Sequence, residues 1–343
     1  MVAPGTLLNE SLENIIRART GALIVIGDGP DVIKITSGGF RLDCELTAAR
    51  LYELAKMDGA IILDDEAKRI VLANVQLLPD PTIPSDETGS RHRTAERVAK
   101  QTHSTVLAVS QRRNVVTLYR NAIKYVLRDV GLTLTKANQA IQTLQEFRTI
   151  LDKSLARLTI LEFENAVTLG DPIWAVQRRE MLRRVEAEIE HYVAELGVEG
   201  RLIEMQLQEL VFDVENEGTN LVRDYMLPSD NRTIDSVKKQ LKRLSFDELV
   251  DQVLIARALG FSTHMNLLEQ PVCPRGYRIL SKIPKIPSFV VDNIVETFGN
   301  LPAILNSSVE ELDKVEGVGE SRARTIKEGL KRLRESAMIE RRP

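Results

Sequence analysis

The sequence predicts an α/β N-terminal domain, a mixed sheet flanked by helices, followed by an all-α helical linker domain and a C-terminal all-α helix-hairpin-helix domain. Three observations carry this. Short apolar runs with strand punctuation alternate irregularly with amphipathic stretches, and at least one hairpin signal argues against a doubly wound parallel sheet. From Leu132 to Met226 apolar residues instead recur at spacings of three and four, the period of long packed helices. Near the end, a Gly-Val-Gly turn joins two helical stretches. The implied domains are residues 1–130, 131–270 and 271–343.

In chain order, Leu7, Leu8, Leu12, Ile15 and Ile16 place an amphipathic helix over residues 7–18. Ala22 to Ile26 is a short apolar run closed by Gly27-Asp28-Gly29-Pro30, a buried strand and its turn. Ser37-Gly38-Gly39-Phe40 is a further turn, and a helix follows from Thr47 to Lys56. Asp58-Gly59 then leads directly into the strand Ala60–Leu63. A hairpin signal at 64–68 returns the chain as a strand from Arg69 to Leu78. Pro79 to Thr88 holds three prolines and is a loop. It delivers Gly89-Ser90-Arg91-His92-Arg93 to the mouth of a helix running from Thr94 to Gln101. Strands Thr105–Ser110 and Asn114–Tyr119 complete the sheet.

The linker carries glycine only as punctuation, at Gly170, Gly197, Gly200 and Gly218. Its charged residues read as solvated faces, and Trp174 and His191 as core or surface. Residues 271–343 hold 13 Lys plus Arg against 10 Asp plus Glu, a local excess of positive charge in a chain of net charge -3. Nucleic-acid binding must therefore come from a patch. Gly317-Val318-Gly319 permits φ > 0 and turns backbone N–H groups outward, and the following helix adds its positive N-terminus. With Ser321, Arg322 and Arg324 this turn suits a DNA phosphate and reads no bases. Lys282 to Ser288 is a companion hairpin without the glycines.

Two cysteines, Cys44 and Cys273, lie too far apart for a thiolate metal motif, and no run is apolar enough for a membrane span. A cytoplasmic, DNA-associated protein with no membrane partner is expected. No P-loop, dinucleotide fingerprint, G-x-S-x-G or H-E-x-x-H is present, which disfavours the corresponding enzymes. Two clusters remain. Arg91 and Arg93 flanking His92, with the hydroxyls of Ser90 and Thr94, form either a solvated basic turn or an oxyanion site. Asp58 either caps an Asp-Gly turn, or holds a divalent cation or orients an attacking hydroxyl.

Lys56-Met57-Asp58-Gly59-Ala60, Gly89 through Arg97, and Glu316-Gly317-Val318-Gly319, in this order and spacing, resemble the DisA family of bacterial diadenylate cyclases over the whole chain. Ser90 stands where that family more often has Thr or Val. The resemblance implies that two ATP become cyclic di-AMP and two pyrophosphates, with Mg²⁺ or Mn²⁺ as cofactor. It implies Asp58, Arg91, His92 and Arg93 as catalytic residues. Gly59, Leu77 and Ser90, Arg91, His92, Arg93 and Thr94 would line the ATP pocket, with Ser110 beside Arg112 as a further phosphate contact. Asp58 and His92 are the candidate metal ligands. A two-fold symmetric product requires two facing subunits, and the family implies an octamer whose cyclase is lowered by branched DNA. The alternatives are a structural DNA-binding protein with a non-catalytic nucleotide sensor, and an enzyme passing a nucleotidyl group to another acceptor.

Overall fold

The computed structural model describes residues 2–113, 115–228, 232–262 and 266–340. Asn114, where the last expected strand begins, lies outside the described residues, as do residues 341–343 of the C-terminal domain. The chain forms two compact units. One is Met1–Asn138 with His191–Ile203, and the other is Gln139–Glu190 with Glu204–Pro343.

The first unit is a mixed sheet between two helical layers. It contains α1 (Leu7–Arg17), β1 (Ala22–Ile26), α2 (Pro30–Lys34), β2 (Thr36–Ser37), β3 (Phe40–Glu45), α3 (Ala48–Leu54), β4 (Ala60–Leu63) and β5 (Arg69–Leu77). Next come α4 (Ser90–Thr102), β6 (Thr105–Ser110), β7 (Val115–Arg120) and β8 (Ile123–Val126). The strands run β2-β5-β4-β1-β6-β7-β8, with β3 also on β5. Among the described residues only β1 and β4 pair in parallel. β1 and β4 are buried along their whole length because helices cover both faces. Leu12, Ile15, Leu51 and Leu107 fill one layer under α1 and α3. Val25, Ile62, Ala95, Val98 and Val106 fill the other under α4. Thr6 caps α1 by accepting from the Asn9 amide at 3.2 Å.

Three strands escape the sequence reading, β2, β3 and β8. All lie at sheet edges with side chains exposed or half-buried, so none carries a buried apolar run. A second correction bears on the site. The helix expected from Thr94 starts at Ser90, because extended Gly89 (φ −84°, ψ 137°) is its N-cap. The Arg-His-Arg cluster therefore forms the helix's first turn and is not a loop ahead of it.

The described residues of the second unit form helices, with an isolated β-bridge between Thr168 and Pro271. The unit contains most of α5 (Val130–Glu164) and α6 (Gly170–Leu196), then α7 (Arg201–Val211), α8 (Val214–Tyr225), α9 (Ile234–Arg243), α10 (Phe246–Val250) and α11 (Gln252–Leu259). After these come α12 (Tyr277–Ser281), α13 (Ser288–Phe298), α14 (Leu301–Asn306), α15 (Val309–Asp313) and α16 (Gly319–Glu340). At 35 residues α5 is about 52 Å long. Gly218 does not punctuate the linker. It lies within α8, where a Cβ would stand 2.5 Å from Nε of Arg179. Nor are the linker's charges all solvated: Glu162, Arg179, Glu180 and Asp224 are buried. No helix among the described residues is long and apolar enough to cross a membrane.

Candidate functional site

Strand register gathers the predicted nucleotide residues at one end of the first sheet. β1 and β4 run in parallel with Ile24 opposite Ile61, so the residues that lead into them, Gly21 and Asp58-Gly59, enter at the same end of the sheet. Antiparallel pairing of Ala22 with Val109 puts Ser110, the last residue of β6, at that end. Antiparallel pairing of Ala60 with Val75 puts Leu77, the last residue of β5, there too. From β5 through β4 and β1 to β6 is three inter-strand steps, about 14 Å, the reach of an extended nucleoside triphosphate.

Gly59 is required by the protein itself. Its φ is +91°, and a Cβ would lie 2.9 Å from the carbonyl oxygen of Val75 on β5. That contact, and not room for a ligand, excludes a side chain there. It leaves Asp58 exposed beyond the strand end. Leu77 is 8 % exposed, its side chain lodged in the layer under α4.

α4 presents Ser90, Arg91 and His92 at its N-terminus, where amide donors and the helix dipole favour an anion. Arg91 lies over Gly21, whose Cβ would sit 2.0 Å from Nη1 of the arginine, and the same nitrogen reaches the Val109 carbonyl at 3.5 Å. Gly21 was not singled out in the sequence. Its place just before β1 marks it only once α4 is known to cross there. Two residues on, about 200° around the helix, Arg93 points elsewhere. It donates to the carbonyls of Glu87 at 3.2 Å and Thr88 at 3.4 Å, and is exposed. The two guanidiniums thus leave the helix in different directions. Thr94 is half-buried beside them.

The proline-rich loop is sewn to α4. Arg97 donates to the Ile83 carbonyl at 2.9 Å, Lys100 to that of Pro84 at 2.9 Å, and the Asp80 amide to Gln101 at 2.8 Å. Ser85 donates to Glu96 at 2.5 Å. Under the first turn, Nδ1 of His92 lies 2.9 Å from the Tyr119 hydroxyl, which donates to Glu87 at 2.7 Å. Lys124 pairs with the same carboxylate oxygen. Burial would raise the Glu87 carboxyl, but the hydrogen bonds from Lys124 and Tyr119 outweigh it and hold the group below its ordinary range. Burial lowers the His92 imidazole, and neighbouring Lys124, Arg91 and Arg113 add to this against the pull of Glu87. Glu87, Tyr119 and Lys124 carry no motif and were invisible in the sequence. Nε2 of His92 makes no hydrogen bond among the described residues. No three His, Cys, Asp or Glu side chains among them converge to hold a metal. A cavity of about 680 Å³ lies on the sheet's other face, lined by Leu12, Ile16, Val116 and Leu127, away from all these groups.

In the second unit, the predicted DNA residues surround one turn. Gly317 has φ +82° and no room for a Cβ, which would lie 2.9 Å from the ring of Phe289. Gly319, φ +61°, faces open space. Val318 holds the turn together, with its side chain buried and its amide donating to the Val315 carbonyl at 3.1 Å. Arg322 folds back to donate to the Gly317 carbonyl at 2.6 Å. Ser321 is exposed, and so is Arg324, paired with Glu320 at 2.5 Å. The companion hairpin places Lys285 in the left-handed region, φ +67°, where the second has Gly317. It therefore has the same turn without the glycine.

Family models match along the chain: the DisA bacterial checkpoint controller nucleotide-binding region over residues 9–123, and its linker region over 127–268. A SAM-like helix-hairpin-helix tandem matches 277–332. The chain is 57% identical over 334 residues to the DNA integrity scanning protein DisA of Carboxydothermus hydrogenoformans, covering 97% of this chain and 95% of that one. It is 52% identical over 340 residues to the protein of the same name in Symbiobacterium thermophilum, covering 99% and 96%. Against that of Clostridium kluyveri it is again 52% identical over 340 residues, covering 99% and 95%.

Proposed function

The chain belongs to the DisA family, and from that premise we propose how its residues carry out the family's reaction. It is a diadenylate cyclase, joining two ATP into cyclic di-AMP with release of two pyrophosphates, and it carries a DNA-binding module. Each 3′-hydroxyl displaces pyrophosphate from the α-phosphorus of the other ATP, a reaction governed by positioning and charge neutralisation. The observation that supports the residue assignment is the gathering of Asp58, Gly21, Leu77 and Ser110 at one end of the sheet, with Arg91 of α4 over Gly21.

Asp58 takes the proton of the attacking hydroxyl or orients it, since its carboxylate stands exposed at that end. Arg91 and the amides of the first turn of α4 hold the triphosphate and stabilise charge on departing pyrophosphate. Arg93 fixes the loop at Glu87 and Thr88 beside the helix's first turn. Ser90, Thr94, Gly59, Leu77 and Ser110 line the nucleotide. A divalent cation, Mg²⁺ or Mn²⁺, would be held by the exposed carboxylate of Asp58 and by Nε2 of His92, which makes no hydrogen bond among the described residues, together with oxygens of the bound phosphates. When bound, it supplies charge neutralisation on the phosphates.

One subunit holds one ATP and cannot close the ring alone, so two cyclase domains must face each other, and an octamer provides four such pairs. Gly317, Gly319, Ser321, Arg322 and Arg324 hold DNA by its backbone, so branched DNA is distinguished by shape. DNA displacing one half-site breaks the in-line geometry and lowers the rate. A cytoplasmic location suits both substrates.

Chromatography of products from ATP with Mg²⁺ or Mn²⁺, wild type beside Asp58→Asn, tests this. Cyclic di-AMP from wild type and none from the variant is expected. AMP, adenylylated DNA or untouched ATP from wild type overturns it.

A further inference from the structure

Two polar side chains beneath the first turn of α4 belong to neither nucleotide motif. Tyr119 of β7 is 1% exposed, and Glu87 sits in the loop ahead of the helix. Their bonds form a chain with a direction. Glu87 is paired with Lys124 and, as a carboxylate, can only accept. The single phenol proton of Tyr119 therefore goes to Glu87, across 2.7 Å. The phenol oxygen is left as an acceptor, and the atom it faces, 2.9 Å away, is Nδ1 of His92. That nitrogen must carry a proton. In a neutral imidazole the lone pair then lies on Nε2, on the far side of the ring from β7. The rings meet at 67° with centroids 6.1 Å apart, an edge-on approach consistent with an in-plane Nδ1–H bond.

We infer that Glu87 and Tyr119 are positioning residues that fix His92 as the Nδ1–H tautomer. His92 then offers the site an electron pair at Nε2, where Arg91 offers protons. This rests on the reading of the site as the cyclase centre and deepens it. The Arg-His-Arg turn is not three equivalent phosphate donors: Arg91 donates, Arg93 braces the loop, and His92 is a base-like ligand suited to a divalent cation or a hydroxyl proton. Lys124 secures the far end by holding Glu87 ionised and in place. The alternation of β7 makes the arrangement possible. Thr117 and Tyr119 face α4 while Val116 and Leu118 face the other layer, so the phenol reaches the side of the sheet on which α4 lies.

The test uses the full chain labelled with ¹⁵N-histidine, which has only four histidines, and magic-angle-spinning ¹⁵N spectra in neutral buffer without metal. The His92 signals are those lost in His92→Gln. A protonated Nδ1 and a bare Nε2 are expected. In Tyr119→Phe, which keeps the ring and removes one oxygen, that preference should disappear. There kcat should fall about 10- to 100-fold, as for other residues that orient a ligand. KM for ATP should change by less than about threefold, because the phosphate donors are untouched. Glu87→Gln should fall between wild type and Tyr119→Phe on both readouts. An Nε2–H ring in wild type, as the other tautomer or as the cation, overturns the inference. So does a Tyr119→Phe protein with unchanged spectrum and kcat. Should Tyr119→Phe not fold, the wild-type spectrum decides alone. A wild type with the expected tautomer but no cyclic di-AMP would instead overturn the functional reading and leave the relay standing.

Discussion

Each unit contains a tyrosine hydroxyl donating to a glutamate at 2.7 Å beside arginines, and the two have opposite consequences. In the first unit it is Tyr119 and Glu87 under Arg91 and His92. In the second it is Tyr225 and Glu162 beside Arg278. The second cluster is closed to solvent, even though Nε and Nη1 of Arg278 make no hydrogen bond there. Arg278 and Glu162 are fully buried and paired, and Asp224 accepts backbone amides of Gly276, Tyr277 and Arg278 at 2.7, 2.7 and 2.9 Å. These bonds fasten the start of α12 to α8, and with them the hairpin domain to the linker helices. The first cluster is open. His92 is half-buried, Arg91 covers a glycine, and Nε2 makes no hydrogen bond among the described residues. Density of charge does not distinguish a site from a structural clamp. Unused hydrogen-bonding capacity next to solvent does.

The largest effect should come from the open end. Asp58→Asn should lower cyclic di-AMP formation by at least about 10³-fold while melting as wild type, since an exposed carboxylate contributes little to packing. A large loss of thermal stability would make Asp58 structural and erase the contrast. Arg278→Ala should act the other way. It leaves Glu162 buried without its partner, and should cost the second unit about 3–5 kcal/mol by denaturant unfolding. Removing one member of an open surface pair would not approach this.

A smaller effect is set by pH. Burial and the charge of Glu162 push Asp224 up to about 7, against the pull of the Arg278 amide. The native state thus binds a proton that the unfolded chain has released between about pH 4 and 7. Stability from this group is full below that window and is lost as pH rises through 7. The melting temperature of the second unit should fall by about 5–10 °C from pH 5 to 8, and Asp224→Asn should flatten that slope. An identical slope in the variant would assign it elsewhere. Smallest of all, Arg324→Ala should leave folding unchanged, because its pair with Glu320 is exposed. It should weaken all DNA about equally and reduce the salt dependence of binding by about one unit of slope. Loss for one sequence alone would show base reading.

Strands with apolar runs were legible because burial on both faces leaves a mark in composition, as in Ala22–Ile26 and Ala60–Leu63. Edge strands Phe40–Glu45 and Ile123–Val126 were not, since nothing buries them. Gly317 was read as a glycine the turn requires, and its positive φ agrees. Gly218 was misread as a break because the buried Arg179 that needs its space comes from another helix. In the site, Asp58 and the Arg-His-Arg turn stood out as clusters of unusual residue types. Tyr119 and Glu87, one in an apolar strand and one in a loop, did not.

The sequence by itself determined the local periods, the glycine turns and the residue types able to handle phosphate, because each depends on neighbours within a few positions. Tertiary structure alone decided that Asp58, Leu77, Gly21 and Ser110 share one end of a sheet, since register depends on how distant strands pair. It also decided which charges are buried and which remain open. Burial belongs to whatever packs against a side chain, and for Arg278 and Tyr119 the partners that matter are 116 and 32 residues away.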